Sequence, residues 1–173
     1  HGLPIFCASL ALEVDGIAHV AAIYDPSRRE LFTAERGQGA ALNGRRIGVS
    51  ATAELIDAVL VTGFPYDVHV RVAEIVGLFG CFVGRARAVR RLGSAALDLC
   101  YVAAGRLDAS WEVDLKPWDI AAGALIVSEA GGQVSLMTGE PFNSRGGQML
   151  ATNGLLHDEM LSVIRAHRAG AQV

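Results

Sequence analysis

The chain has 173 residues, with 15 Lys and Arg against 18 Asp and Glu for a formal charge of -3, and is 51% hydrophobic and only 19% charged. A disordered chain would combine low hydrophobicity with high net charge, and a collagen-like chain would repeat Gly in triplets; the 20 Gly here follow no such period. A globular chain is expected, of a size that buries roughly 70% of its unfolded surface.

Cys7, Cys81 and Cys100 are odd in number, far apart and without C-x-x-C spacing, which argues against a disulfide framework and a zinc site and fits a reducing cytoplasm. No uncharged apolar run approaches the ~18 residues that cross a bilayer, and the N-terminus lacks the basic-then-apolar pattern of a signal peptide. A cytoplasmic protein with no membrane partner is expected. The sequence opens at His1 and has no methionine before Met137, so an upstream portion is expected as well.

In chain order, extended apolar runs first alternate with Gly-containing turns: Ile5 to Val14, Asp15-Gly16, Ile17 to Tyr24, Asp25-Pro26, Leu31 to Glu35, Gly37-Gln38-Gly39 and Asn43-Gly44. This predicts an antiparallel meander, because both central residues of a type I′ hairpin turn need positive φ and Asp-Gly and Asn-Gly supply it. After Ala58 the rhythm changes. A strand from Ala58 to Phe64, a helix from His69 to Phe79, a strand from Arg87 to Leu92 and a helix from Ser94 to Ala104 are predicted. An extended stretch from Arg106 to Glu112, a helix from Ile120 to Ala130, strands at Gln133 to Met137 and Gln148 to Thr152, and an amphipathic helix from Leu155 to His167 complete a layered α/β half.

Three places carry polar residues with chemical potential. Asp119 precedes an apolar helix that stops at Gly131-Gly132: it reads either as the helix N-cap or as an oxygen ligand for Mg²⁺, and one carboxylate can serve both. Gly93-Ser94-Ala95 stands at a strand-to-helix junction, where free backbone N–H groups suit an anionic substrate, or where Ser94 is an ordinary cap. Ser110-Trp111-Glu112-Val113-Asp114 offers carboxylates for substrate hydroxyls, or simply a solvated acidic loop. Arg85, Arg87, Arg90 and Arg91 read as a solvated strand edge; with an acidic total and no interleaved aromatics, nucleic-acid binding is not expected. The five His lack metal spacing, and no G-x-S-x-G, P-loop or G-x-G-x-x-G run is present.

Trp118-Asp119-Ile120-Ala121-Ala122-Gly123 followed by Glu129-Ala130-Gly131-Gly132, and Leu92-Gly93-Ser94-Ala95-Ala96-Leu97-Asp98 upstream of it, resemble signatures of the inositol monophosphatase family in its bacterial branch. His1-Gly2-Leu3-Pro4-Ile5-Phe6, Asn43-Gly44 and Thr62-Gly63-Phe64-Pro65-Tyr66 fall in the same order, so the resemblance covers essentially the whole chain. It implies an α/β fold: a layered α-β-α-β-α sandwich of the inositol monophosphatase and fructose-bisphosphatase type with its N-terminal part missing. Residues 1–57 would be the remainder of an antiparallel-sheet α+β half, and residues 58–173 a C-terminal α/β half.

The resemblance further implies Mg²⁺-dependent hydrolysis of a small phosphorylated polyol or sugar, by a homodimer that is often inhibited by lithium. Asp119 matches a late metal ligand that also touches substrate, in a scheme where one ion activates the attacking water and another stabilises the leaving oxygen. Gly93, Ser94, Ala95 and Glu112 match positions lining the sugar or inositol hydroxyls. The family's metal-binding Glu and its Asp-Pro-[Ile/Leu]-Asp-Gly-Thr motif are absent; Asp25-Pro26 continues as Ser27-Arg28 and is no substitute. Two expectations follow: a phosphatase whose complete form carries the other ligands, or a non-catalytic oligomerisation or binding module. Sugar-bisphosphate and nucleotide 3′-phosphate hydrolysis are the neighbouring activities. Loss of the early helices would leave an apolar sheet face uncovered.

Overall fold

The structure is a computed structural model and describes residues 1–170; the last three residues of the 58–173 half lie outside the described residues. The first forty-odd residues build an antiparallel sheet in simple sequence order from β1 (Ala8–Val14), β2 (Ile17–Asp25), β3 (Glu30–Glu35), β4 (Gly39–Leu42) and β5 (Arg45–Arg46). Asp15 and Gly16 have φ of 51° and 76°, and Asn43 and Gly44 have 50° and 77°. These are the positive values that a type I′ turn requires, and its twist matches that of the strands it joins. The β2–β3 corner is made differently: the fully buried Asp25 accepts hydrogen bonds from the Ser27 and Arg28 N–H groups (2.9 and 3.1 Å) and from Arg28 Nη1 (2.9 Å). Its carboxylate is thus consumed by the turn, consistent with Asp25-Pro26 having no part in metal binding.

Strand alternation gives this sheet two different faces. Ala21, Ile23, Phe32, Ala34 and Ala40 are buried inward, whereas Leu10, Leu12, Val14, Val20, Tyr24 and Leu31 lie exposed on the other side. The apolar uncovered face expected from the sequence is therefore present.

The second sheet has the order β7-β6-β8-β10-β9, formed by β6 (Val59–Thr62), β7 (Ala88–Arg90), β8 (Ala109–Val113), β9 (Gln133–Ser135) and β10 (Gln148–Thr152). β6 runs parallel to both β7 and β8, and β10 runs antiparallel to β8 and β9. The connections are α1 (Val72–Val83), α2 (Ala95–Ala103) and α3 (Pro117–Glu129), with α4 (His157–Arg168) closing the chain. α2 and α3 fill the space between the sheets, while α1 and α4 cover the far side of the second sheet. The layers are sheet, helices, sheet, helices: the expected sandwich without a first helical layer among the described residues.

α3 is buried all round from Ile120 to Val127 because it has a sheet on each side, which is why its sequence shows no polar stripe. Gly123 makes this possible, since a Cβ there would overlap the Leu99 side chain of α2. The helix ends in a Schellman motif: Gly131, at φ 91°, donates to Ser128 O and Gly132 to Val127 O. The far core packs Phe82 on Trp111, with ring centroids 4.4 Å apart.

Candidate functional site

β6, β7 and β8 are parallel, so their carboxyl ends lie at one edge of the sheet, and α2 and α3 begin there after β7 and β8. Crevices outside the carboxyl ends of strands in α/β sheets are where ligands bind. Each candidate residue from the sequence lies at this edge.

Asp119 is not the N-cap. Pro117 starts the helix and Lys116 is its cap, so Asp119 is the third helical residue, and its Oδ2 reaches back to accept the Lys116 N–H at 2.8 Å. This satisfies one of the donors that a helix start leaves free. Oδ1 has no protein partner among the described residues. The capping and ligand functions proposed for this carboxylate are therefore compatible, one oxygen for each.

Ser94 is the N-cap residue of α2 by position, with an extended backbone (φ −147°), but its hydroxyl makes no capping bond. Instead Oγ lies 3.8 Å from Cys7 Sγ. The ordinary-cap reading of Ser94 is thus corrected, and the first N–H groups of α2 receive no side-chain acceptor from it. Gly93 has φ 101°, a left-handed conformation that favours glycine, and a Cβ added to it would meet only open space. Ala95 is the first helical residue. Cys7 touches Ser94, and burial first of all pushes its thiol pKa up, with the Asp25 and Asp119 charges adding smaller contributions in the same direction.

Glu112 is also not where a solvated loop would place it. It lies in β8, with Oε2 buried and unpartnered, and burial followed by the nearby Asp119 charge pushes its carboxyl up to about 7, against the opposing effect of Arg91. A Cβ at Gly63 would overlap this carboxyl, so the glycine makes room for it at the end of β6. Asp114, by contrast, is exposed and ion-paired with Arg71. Arg91 stacks its guanidinium 3.8 Å above the Phe64 ring, while Arg87 and Arg90 are exposed on the edge strand β7 and the residue preceding it. A cavity of about 300 Å³ lies beneath α1 and shares only Glu112 with the candidate residues.

Three further residues carried no role in the sequence reading. Gly63 makes room for Glu112. Glu129 accepts the N–H groups of Gly37 and Gly39 at 2.8 Å each, tying the end of α3 to the β3–β4 turn. Asp98 is buried in α2 without a hydrogen bond to Oδ1. Its signal was available as a lone carboxylate in the apolar run Ala95-Ala96-Leu97-Asp98-Leu99-Cys100.

Asp119 Oδ1 is a hard oxygen donor of the kind Mg²⁺ takes, and Mg²⁺ commonly binds one or two carboxylates while keeping several waters. Among the described residues no three His, Cys, Asp or Glu side chains converge to hold a metal. The donor fits Mg²⁺ in kind and supplies one ligand, not a complete set. Also among the described residues, no helix is long and apolar enough to cross a membrane.

Comparison with known proteins agrees with this architecture. The Nus factor SuhB of Pseudomonas aeruginosa is 46% identical over 169 residues, covering 96% of this chain and 62% of its own. An inositol-1-monophosphatase of Synechocystis is 45% identical over 166 residues, covering 96% and 58%. The inositol monophosphatase structure from Anabaena superposes with a TM-score of 0.89 at 43% identity, over 94% of this chain and 64% of that one. The chain thus spans less than two thirds of the length of these relatives. Residues 1–169 match the inositol monophosphatase family as a whole, and the chain belongs to that family.

Proposed function

We propose that the protein containing this chain is a Mg²⁺-dependent phosphatase of small phosphate monoesters, with inositol monophosphate as the first substrate to test. The observation that carries this reading is the Asp119 carboxylate, held at the start of α3 by one oxygen with the other left unpartnered, at the same sheet edge where α2 begins. Helix starts present N–H groups and positive dipole ends to a phosphate. Asp119 would hold the ion, which supplies Lewis-acid stabilisation of charge on the phosphoryl oxygens. The backbone N–H groups around Gly93, Ser94 and Ala95 would orient the substrate, and Glu112 would accept a bond from a polyol hydroxyl. The name of the Synechocystis relative supports the choice of substrate.

The test is phosphate release from inositol 1-phosphate by the complete protein, with and without Mg²⁺, for wild type and Asp119→Asn. Asn keeps an oxygen for the Lys116 N–H and loses the charge, so turnover should fall by roughly a hundredfold or more with the fold intact. Unchanged turnover in that variant would leave Asp119 only its helix bond and sink the proposal. The 173-residue chain alone, with one metal carboxylate, should show little turnover and weak Mg²⁺ affinity.

A second reading, a binding module, draws on the exposed apolar face of the first sheet and on the Nus factor name of the Pseudomonas relative. Its signature would be a binding function that persists in Asp119→Asn.

A further inference from the structure

Among the described residues, three buried side-chain oxygen atoms lack any hydrogen-bond partner: Asp98 Oδ1, Ser110 Oγ and Glu112 Oε2. They are not scattered. Ser110 and Glu112 are alternate residues of β8 and project from the same face. Their neighbours Ala109, Trp111 and Val113 belong to the core beneath α1 and α4, so Ser110 and Glu112 face the α2 side. α2 packs on β8 there, and it carries Asp98. Asp98 and Ser110 are each only 1% exposed.

A buried polar atom without a hydrogen bond is unfavourable, so three such atoms along the α2–β8 contact call for partners. No side chain among the described residues provides one. A buried water typically makes roughly three hydrogen bonds to such otherwise unsatisfied groups, which is the number present.

We propose that Asp98 is a positioning residue for Glu112: with Ser110 it forms a buried, water-bridged cradle that fixes where the Glu112 carboxyl meets a polyol hydroxyl. This deepens the reading of the site given above and rests on it for the identity of the ligand. Gly63 also bounds this carboxyl, since a Cβ there would overlap it. Proton placement agrees with the geometry. Burial and then the Glu112 charge raise the Asp98 pKa to about 8, so near neutral pH Asp98 can donate a hydrogen bond within the cradle. Asn can imitate a neutral, donating Asp98, and Ala cannot.

The experiment compares wild type, Asp98→Asn, Asp98→Ala and Ser110→Ala in the complete protein. Crystal structures are combined with calorimetric binding of inositol 1-phosphate and, as a control, inorganic phosphate. In wild type a water should lie within hydrogen-bonding distance of all three oxygens. In Asp98→Ala the Glu112 carboxyl should shift and the Kd for inositol 1-phosphate should rise about tenfold, with that for inorganic phosphate unchanged. Asp98→Asn should restore both, and Ser110→Ala should reproduce a smaller part of the loss, which keeps the test open if Asp98→Ala fails to fold. A dry cluster in wild type, or an unmoved Glu112 with unchanged affinity in the variants, would overturn the proposal. Failure of wild type to bind inositol 1-phosphate would count against the phosphatase reading, while the water and the Glu112 position still decide the cradle.

Discussion

The two sheets solve the same burial problem differently. The first, a meander closed by local turns, buries Ile23 and Phe32 against α3 but leaves Leu10, Leu12 and Val14 exposed on its other face. The second is covered on both sides, and between it and α2 lie Asp98, Ser110 and Glu112 with buried, unpaired oxygens, whereas the one buried carboxylate of the first sheet, Asp25, is bonded by its own turn. A sheet made from local hairpins can form from its own turns, whereas a sheet of crossover connections needs its helices in place before polar groups can be enclosed. The candidate chemistry accordingly sits on the second sheet and the helix starts above it.

Three perturbations would break or sharpen this contrast. The largest effect is expected where the two parts are tied together: Glu129→Ala removes the acceptor for the Gly37 and Gly39 N–H groups and should lower stability by about 1–2 kcal/mol in denaturant unfolding. The loss should concentrate in β3 and β4 by hydrogen exchange. Protection unchanged there would show that α3 packing alone holds the first sheet.

A smaller effect should follow acidification, and it should reach the second sheet first. Ser135 Oγ donates to Leu136 O, so His157 Nε2–H donates to Ser135 Oγ at 2.9 Å, and Nδ1 accepts from Thr152 Oγ1 at 3.1 Å. This chain of bonds requires neutral imidazole, and burial lowers the His157 pKa from the usual 6.5. Its stabilising contribution is therefore full above about 6.5 and is lost as pH falls through the lower folded value. Asp25 behaves as the counterpart in the first sheet. Burial pushes its carboxyl up, but the Arg28 side chain and the Arg28 and Ser27 N–H groups bring it below the usual 3.8, so its contribution persists until pH drops beneath that value. Amides of β9 and β10 should lose exchange protection at a higher pH than those of β2 and β3; the reverse order would contradict these assignments.

The smallest change in stability is expected on the exposed face. Leu10→Thr with Leu12→Thr removes apolar groups that are 65% and 57% exposed, so unfolding free energy should barely move. Self-association and binding of a hydrophobic dye should fall. A large loss of stability would mean that this face is packed after all.

Much of the local architecture was legible in the chain. Asp15-Gly16 and Asn43-Gly44 announced their hairpins because few residues accept positive φ, and Gly131 marked the end of α3 for the same reason. Gln148 to Thr152 matched β10 residue for residue. Boundaries were less visible where tertiary contacts set them: the helix expected to begin at His69 starts at Val72, and the one expected at Ile120 starts at Pro117. The site was legible as a set of positions and not as an arrangement. The sequence singles out Asp119, Glu112 and the Gly93-Ser94 corner, yet Asp119 is the third residue of its helix, Ser94 a cap without a capping bond, and Glu112 a strand residue with a buried carboxyl oxygen.

Sequence alone determined the turns, the alternation of apolar residues and the family resemblance, because these depend on backbone sterics and on contacts a few residues apart. Only the tertiary structure decided which polar groups lose their water. That depends on two elements meeting across the chain: α2 closing over β8 around Asp98, Ser110 and Glu112, and Gly63 leaving space where any other residue would fill it. Burial is a property of the assembled layers, and no single strand or helix of this protein encodes it.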